Sequence, residues 1–171
     1  MCALMLGVVA LRQLGLVLNV TPSMPIGLYR ATPLTGGVAR GDIVQACPPA
    51  AIARFGLARG YVPRGSCPSG IAPFLKIVVA LGGDRIAIGR DGVRVNGTLL
   101  PNSKREPVDG RRRPLPAVAR ASFALAPGEV WLWTPYPASW DSRYYGPLRE
   151  SDLIARARLV VAFQPWPYAT P

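Results

Sequence analysis

Nineteen prolines and eighteen glycines, about a fifth of the 171 residues, break this chain into short pieces. Proline lacks an amide hydrogen and clashes with the preceding helical turn, and glycine in a helix interior costs conformational entropy. Few long helices fit between such breaks. The pattern predicts a mainly β fold of short antiparallel strands joined by many turns, with few short helices. Half of the residues are hydrophobic and 17% are charged, which excludes a disordered chain and leaves room for one domain with its own core.

Strands are expected over residues 42–46, 74–80, 85–88, 129–133 and 154–161. A hairpin is expected at 93–100 around Asn96-Gly97, a dipeptide that tolerates the positive φ of a tight turn. One short helix is expected from Pro49 to Ala58, ending near Gly60. Residues 101–121 read as a mobile, polar, proline-rich connection, and 164–171 as a tail without structure. There are no repeats.

The N-terminus is apolar from Cys2 to Leu11 apart from Gly7, is interrupted by Arg12-Gln13, and resumes from Leu14 to Leu18. At about 17–19 residues it is at the short end of a membrane span. An arginine at mid-span costs about 2.5–3.5 kcal/mol on insertion scales unless it snorkels. Residues 1–20 are therefore read as one membrane anchor, and 21–171 as the domain it carries. The rival is a cleaved signal peptide. It is disfavoured by the absence of a basic leading segment and of a small-x-small site before Ser23. The same absence leaves open a start further upstream.

Net charge is +11, nearly all from arginine. No zinc-ligand spacing, recognition-helix pattern or aromatic-interleaved basic patch accompanies it, so nucleic acid is not expected as a partner. Arg111-Arg112-Arg113 reads as a solvated loop. The chain has no histidine and three cysteines, and no metal site is expected. Cys47 and Cys67 bracket a stretch rich in proline, glycine and arginine. In an oxidising compartment they would close a disulfide worth about 3 kcal/mol; the alternative is two free thiols.

Chemistry concentrates in Thr21-Pro22-Ser23-Met24-Pro25-Ile26-Gly27-Leu28-Tyr29-Arg30. The two prolines around Ser23 bias their neighbours away from helix, which presents the hydroxyl. A proline-rich linker is the alternative. A serine needs a base to become a nucleophile, and without histidine that base is a lysine, a carboxylate or an N-terminal amine. Only two lysines exist. Lys104 sits in a polar loop, whereas Lys76 opens the apolar run Lys76-Ile77-Val78-Val79-Ala80. Burial there would favour the neutral amine, a state arginine does not reach. A lysine on the wet face of an edge strand is the competing reading. A third segment, Ser139-Trp140-Asp141-Ser142-Arg143-Tyr144-Tyr145-Gly146, is dense in hydrogen-bonding groups.

The three segments, in this order, resemble the signal peptidase superfamily of Ser/Lys proteases. Ser-Met-Pro holds that family's nucleophile. A lysine opening a Val-rich strand that ends in Gly-Asp, here Gly83-Asp84, is its base, and a Ser-x-Asp-Ser-Arg-x-x-Gly box supports the lysine. Ser-Met-Pro-x-Gly-Leu-Tyr-Arg, Cys67-Pro68-x-Gly70 and Val95-Asn96-Gly97 resemble its TraF-type conjugative transfer branch.

The resemblance implies a signal-peptidase-like antiparallel sheet domain and a Ser23/Lys76 dyad that needs no cofactor. The Ser23 N–H and a second donor would hold the oxyanion; Thr21 stands where relatives offer a hydroxyl, and an ordinary turn threonine is the alternative. Ser139 would orient Lys76, and Asp141 would pair with Arg143. The implied setting is a monomer on the bacterial inner membrane, with its catalytic domain in the periplasm, cutting a pilin precursor and in some cases cyclising it. A general peptidase for exported preproteins, and a non-catalytic β-domain of a secretion apparatus, are the alternatives.

Overall fold

The computed structural model describes residues 15–168. In chain order the strands and helices are β1 (Leu16–Asn19), β2 (Gly27–Thr32), β3 (Ile43–Ala46), α1 (Ala50–Arg59), β4 (Phe74–Leu81), β5 (Arg85–Ile88), β6 (Val93–Val95) and β7 (Thr98–Leu99). They continue with β8 (Ser122–Ala124), β9 (Glu129–Trp133), α2 (Ser142–Tyr145), β10 (Leu148–Arg149) and β11 (Leu153–Ala162). A seven-stranded sheet has the order β1-β2-β11-β3-β4-β9-β10, and a four-stranded sheet the order β7-β6-β5-β8. Every pairing is antiparallel.

The expected β fold is thus present, and the expected strands and helix lie within a residue or two of their observed bounds. Asn96 and Gly97 both take positive φ, 50° and 87°, as a two-residue hairpin turn with the twist of its strands requires. Helix α1 stops at Gly60, whose left-handed φ of 73° lets its N–H turn back onto the last carbonyls.

Strand β4 is apolar on both sides except at Lys76, as a strand covered on both faces should be. Its alternation divides the core. Leu75, Ile77 and Val79 join Trp131, Trp133, Ile86 and Val93 in a cluster between the two sheets. Phe74 and Val78 join Val44, Leu132, Ala53 and Trp140 on the opposite face, under α1. Lys76 has the parity of Phe74 and Val78.

Four expectations need amendment or fall partly outside the described residues. Residues 16–19, read with the apolar N-terminal segment, form β1, paired with β2 from Leu16↔Arg30 to Asn19↔Gly27. A strand satisfies its backbone through a neighbour, and β2 supplies one. The rest of the expected anchor, residues 1–14, lies outside the described residues. Among the described residues no helix is long and apolar enough to cross a membrane.

The 101–121 connection is not a free loop. Ser103 is buried and its hydroxyl accepts from the Val93 N–H at 2.9 Å. The Asp109 carboxylate accepts from the Arg111 and Arg113 amides and from the Arg113 guanidinium. Arg113, expected in solvent, also donates to the Arg59 carbonyl at the end of α1. A carboxylate with several donors is a strong local organiser, which composition alone does not reveal. The tail also does more than expected: Trp166 packs against the inter-sheet core, and its Nε1 donates to the Pro22 carbonyl at 3.2 Å.

Candidate active site

The turn carrying Ser23 joins β1 to β2. Its close entry into the sheet depends on Gly27, where a Cβ would collide with the Val161 carbonyl of β11. Met24 is buried beneath the turn, and the Tyr29 hydroxyl donates to the Pro25 carbonyl at 2.9 Å. Ser23, flanked by these inward anchors, is half-buried at the tip.

Lys76 reaches this point from the middle of β4, opposite Val44 of β3. Its Nζ lies 3.3 Å from Ser23 Oγ. The residue is only 5% exposed, with the Phe74 ring centroid 5.9 Å from Nζ. Burial pushes its pKa down from the ordinary 10.5 to about 8; the negative charge of Asp141 opposes that shift and the positive charge of Arg143 adds to it. Loss of hydration disfavours the ammonium, so Lys76 is poised near the pH at which a general base works best.

Asp141 and Arg143 form a fully buried two-pronged ion pair, with Nε–Oδ1 and Nη2–Oδ2 both 2.8 Å. The Asp141 carboxylate also caps α2 by accepting from the Arg143 N–H at 3.1 Å. The three remaining guanidinium hydrogens are shared among the carbonyls of Asn102, Tyr136, Pro137 and Ser139. A planar fork saturated this way locks the loop over residues 134–141 against the 101–121 connection. The expected pairing of Asp141 with Arg143 is thus formed.

The expected bond from Ser139 to Lys76 is not: Ser139 Oγ is buried on the wall of the same pocket without a hydrogen-bond partner among the described residues. Thr21 Oγ1 lies 3.3 Å from Ser23 Oγ and 2.9 Å from Asn19 Oδ1. The Ser23 N–H makes no hydrogen bond within the described residues.

Ser23, Lys76 and Ser139 open into a groove of about 540 Å³. One side is the end of β1 and the residue after it, through Leu18 and Val20. The other is built from Tyr61–Pro63, Val108, Leu115 and Trp140. The segment carrying Tyr61–Pro63 lies inside the loop closed by the Cys47–Cys67 disulfide, whose Cα atoms are 5.4 Å apart. The bridge therefore braces a wall of the groove and stands apart from the chemistry. Among the described residues no three His, Cys, Asp or Glu side chains are grouped to hold a metal ion.

Asn19 and Trp166 are site residues that sequence reasoning missed. Asn19 carries a local signal, an asparagine two residues before a threonine, the spacing of an Asx turn. Trp166 carries none, because its contact spans 144 residues.

Comparison with known proteins gives the family. The family model for signal peptidases, peptidase S26, matches residues 1–162. The chain belongs to this family. Among individual relatives, it is 40% identical over 152 residues to the conjugal transfer protein TraF of Agrobacterium tumefaciens (strain 15955), covering 88% of this chain and 85% of that one. It is 38% identical over 151 residues to the plasmid transfer protein TraF of Escherichia coli, covering 87% and 84%. Among solved structures, the signal peptidase I of Enterococcus faecalis V583 superposes with a TM-score of 0.42 at 17% identity, covering 72% of this signal peptidase family member and 98% of that chain.

Proposed function

We propose that this chain is a serine endopeptidase in which Ser23 is the nucleophile and Lys76 the general base, and that it matures a conjugative pilin precursor. The observation that carries the reading is the 3.3 Å contact between Ser23 Oγ and a lysine amine removed from water, at the floor of a groove. Neutral Lys76 accepts the Ser23 proton as Oγ attacks a peptide carbonyl. The oxyanion is held by the free Ser23 N–H and by Thr21. The amine then returns the proton to the leaving nitrogen, and the acyl-enzyme is released by water or by the substrate's own N-terminal amine. The second route yields a ring, and no other change in the enzyme is needed. Asp141 and Arg143 hold the loop that walls in Lys76 and take no proton.

The pilin assignment is supported by the conjugal and plasmid transfer roles in the names of the relatives. An extended substrate fits beside β1, whose outer edge is unpaired among the described residues. The proposed setting is the periplasmic face of the inner membrane, with residues 1–14 in the anchor.

Cleavage of a pilin precursor by purified enzyme, with mass spectrometry of the products, tests the reading. Ser23→Ala and Lys76→Ala are each expected to abolish cleavage, and the double variant to be no worse than either. Lys76→Arg is expected to be equally dead because a guanidinium stays charged. Wild-type turnover by Lys76→Arg would remove the dyad. Efficient cleavage of ordinary secreted preproteins, with the pilin precursor left intact, would replace the conjugative role by general signal peptide removal.

A further inference from the structure

Asn19 ends β1, and its side-chain amide sits inside the nucleophile turn. Its Nδ2 lies 2.9 Å from the Thr21 carbonyl oxygen, 3.0 Å from that of Met24 and 3.0 Å from that of Pro25. Three acceptors around one atom require it to be the nitrogen donor, so the other amide atom is oxygen and only accepts. That oxygen lies 3.2 Å from the Thr21 backbone nitrogen and 2.9 Å from Thr21 Oγ1. Thr21 has a single hydroxyl hydrogen, and Asn19 Oδ1 takes it. In the Thr21–Ser23 contact the serine is then the donor. Asn19 is 8% exposed, so water does not compete freely for the bonds of its amide, whereas the Thr21–Ser23 contact is exposed.

We propose that Asn19 is a positioning residue of the catalytic turn, setting the direction of the Ser23 hydroxyl through Thr21 and engaging the turn's carbonyls so that its free N–H groups face substrate. The inference rests on the Ser23/Lys76 reading. At rest the serine hydrogen points to Thr21, and it turns to Lys76 as attack begins. Thr21 in turn must leave Asn19 before it can donate to an oxyanion. Asn19 thereby controls both hydroxyls from the end of β1.

Asn19→Leu keeps the size and removes every one of these bonds. With a peptide substrate kcat is expected to fall about 100-fold while KM changes less than about threefold, the signature of lost geometry. The Lys76 amine, followed by NMR, is expected to titrate unchanged, because the groups that desolvate it are intact. Thr21→Val is expected to lose a comparable factor and Thr21→Ser to recover it. The double variant Asn19→Leu/Thr21→Val is expected to be no slower than the worse single, since coupled residues fail to add.

A folded Asn19→Leu enzyme with wild-type kcat, or losses that multiply in the double variant, would overturn the proposal. If Asn19→Leu does not fold, Asn19→Asp, which keeps the acceptor for Thr21 and loses the donor, takes its place beside Thr21→Val. Unchanged kcat in both overturns it equally. A wild-type enzyme without any turnover would defeat the Ser/Lys reading instead. Hydrogen exchange at the Thr21 amide then still separates the two ideas: it is expected to be slow in wild type and fast in Asn19→Leu, and equal rates would dismiss the role of Asn19.

Discussion

Lys76 loses its proton near pH 8 in the folded protein and near 10.5 when its surroundings are ordinary. In the proposed mechanism only the neutral amine serves as base, so kcat/KM is expected to rise with pH through about 8 and level off above it. A rise centred near 10.4, the value of a free lysine, would dissociate the activity from a desolvated Lys76. The same shift affects stability. Below about 8 both folded and unfolded chains carry the ammonium, and the folded one bears the full cost of burying it. Between 8 and 10.4 the unfolded chain binds more protons, so stability climbs with pH and the cost is gone above 10.4. Denaturant melts across that range are expected to show this climb in wild type and a flatter curve in Lys76→Met. The pairing of Ser23 with Lys76 was legible because the alphabet is so restricted: no histidine, and one lysine in an apolar run. The hydrogen-bond partners of Thr21 and Ser139 were not, since spacing along the chain does not say where a hydroxyl points.

Among the secondary elements, those with a full period were readable, and those fixed only by neighbours were not. Strands β4, β9 and β11 have runs of alternating or continuous apolar residues. Strands β8 and β10, with three and two residues, show no period and exist because β5 and β9 offer them partners. Strand β1 was absorbed into an apolar segment because hydrophobicity alone does not distinguish a strand from a span.

The insert between β3 and β4, with α1 and the disulfide, is the element that shapes the groove wall. Cys47→Ser/Cys67→Ser is expected to destabilise the protein by about 3 kcal/mol, since it frees the unfolded chain from a closed loop. With the enzyme held well below its melting temperature, KM is expected to rise through Tyr61–Pro63 while kcat stays close to wild type. A large fall in kcat with KM unchanged would place the bridge in the chemistry after all.

At the scale of the whole molecule, Asp84 is the joint between the two sheets. It follows β4, accepts from Arg40 Nε at 2.9 Å, from the Leu81 N–H at 2.8 Å, and from Asn96 Nδ2 in the β6–β7 turn at 2.7 Å. Its bond from Arg40, opposed by burial, holds the carboxyl down at about 2. The contribution is present above the unfolded value near 3.9 and is lost as pH falls through about 2, so acid is expected to weaken the inter-sheet joint over that window. Asp84→Ala is expected to cost on the order of 1–3 kcal/mol by removing the charged acceptor that these donors share. Thermal melts at pH 7 and pH 3 check this: the gap between wild type and Asp84→Ala should narrow at the lower pH.

The strand order also ties the catalytic turn to time. Gly27 and Ala162 face each other across β2 and β11, and the Phe163 N–H donates to the Ile26 carbonyl just beyond them. Ser23 thus lies on a ribbon flanked by β11, the last strand among the described residues. While the chain is being synthesised or exported, the serine and the lysine are both available long before the strand that fixes one against the other. Pairing between residues so distant in sequence forms late, because loop closure must precede it. On the proposed Ser/Lys reading, a newly made molecule is expected to stay inert until β11 has docked beside β2.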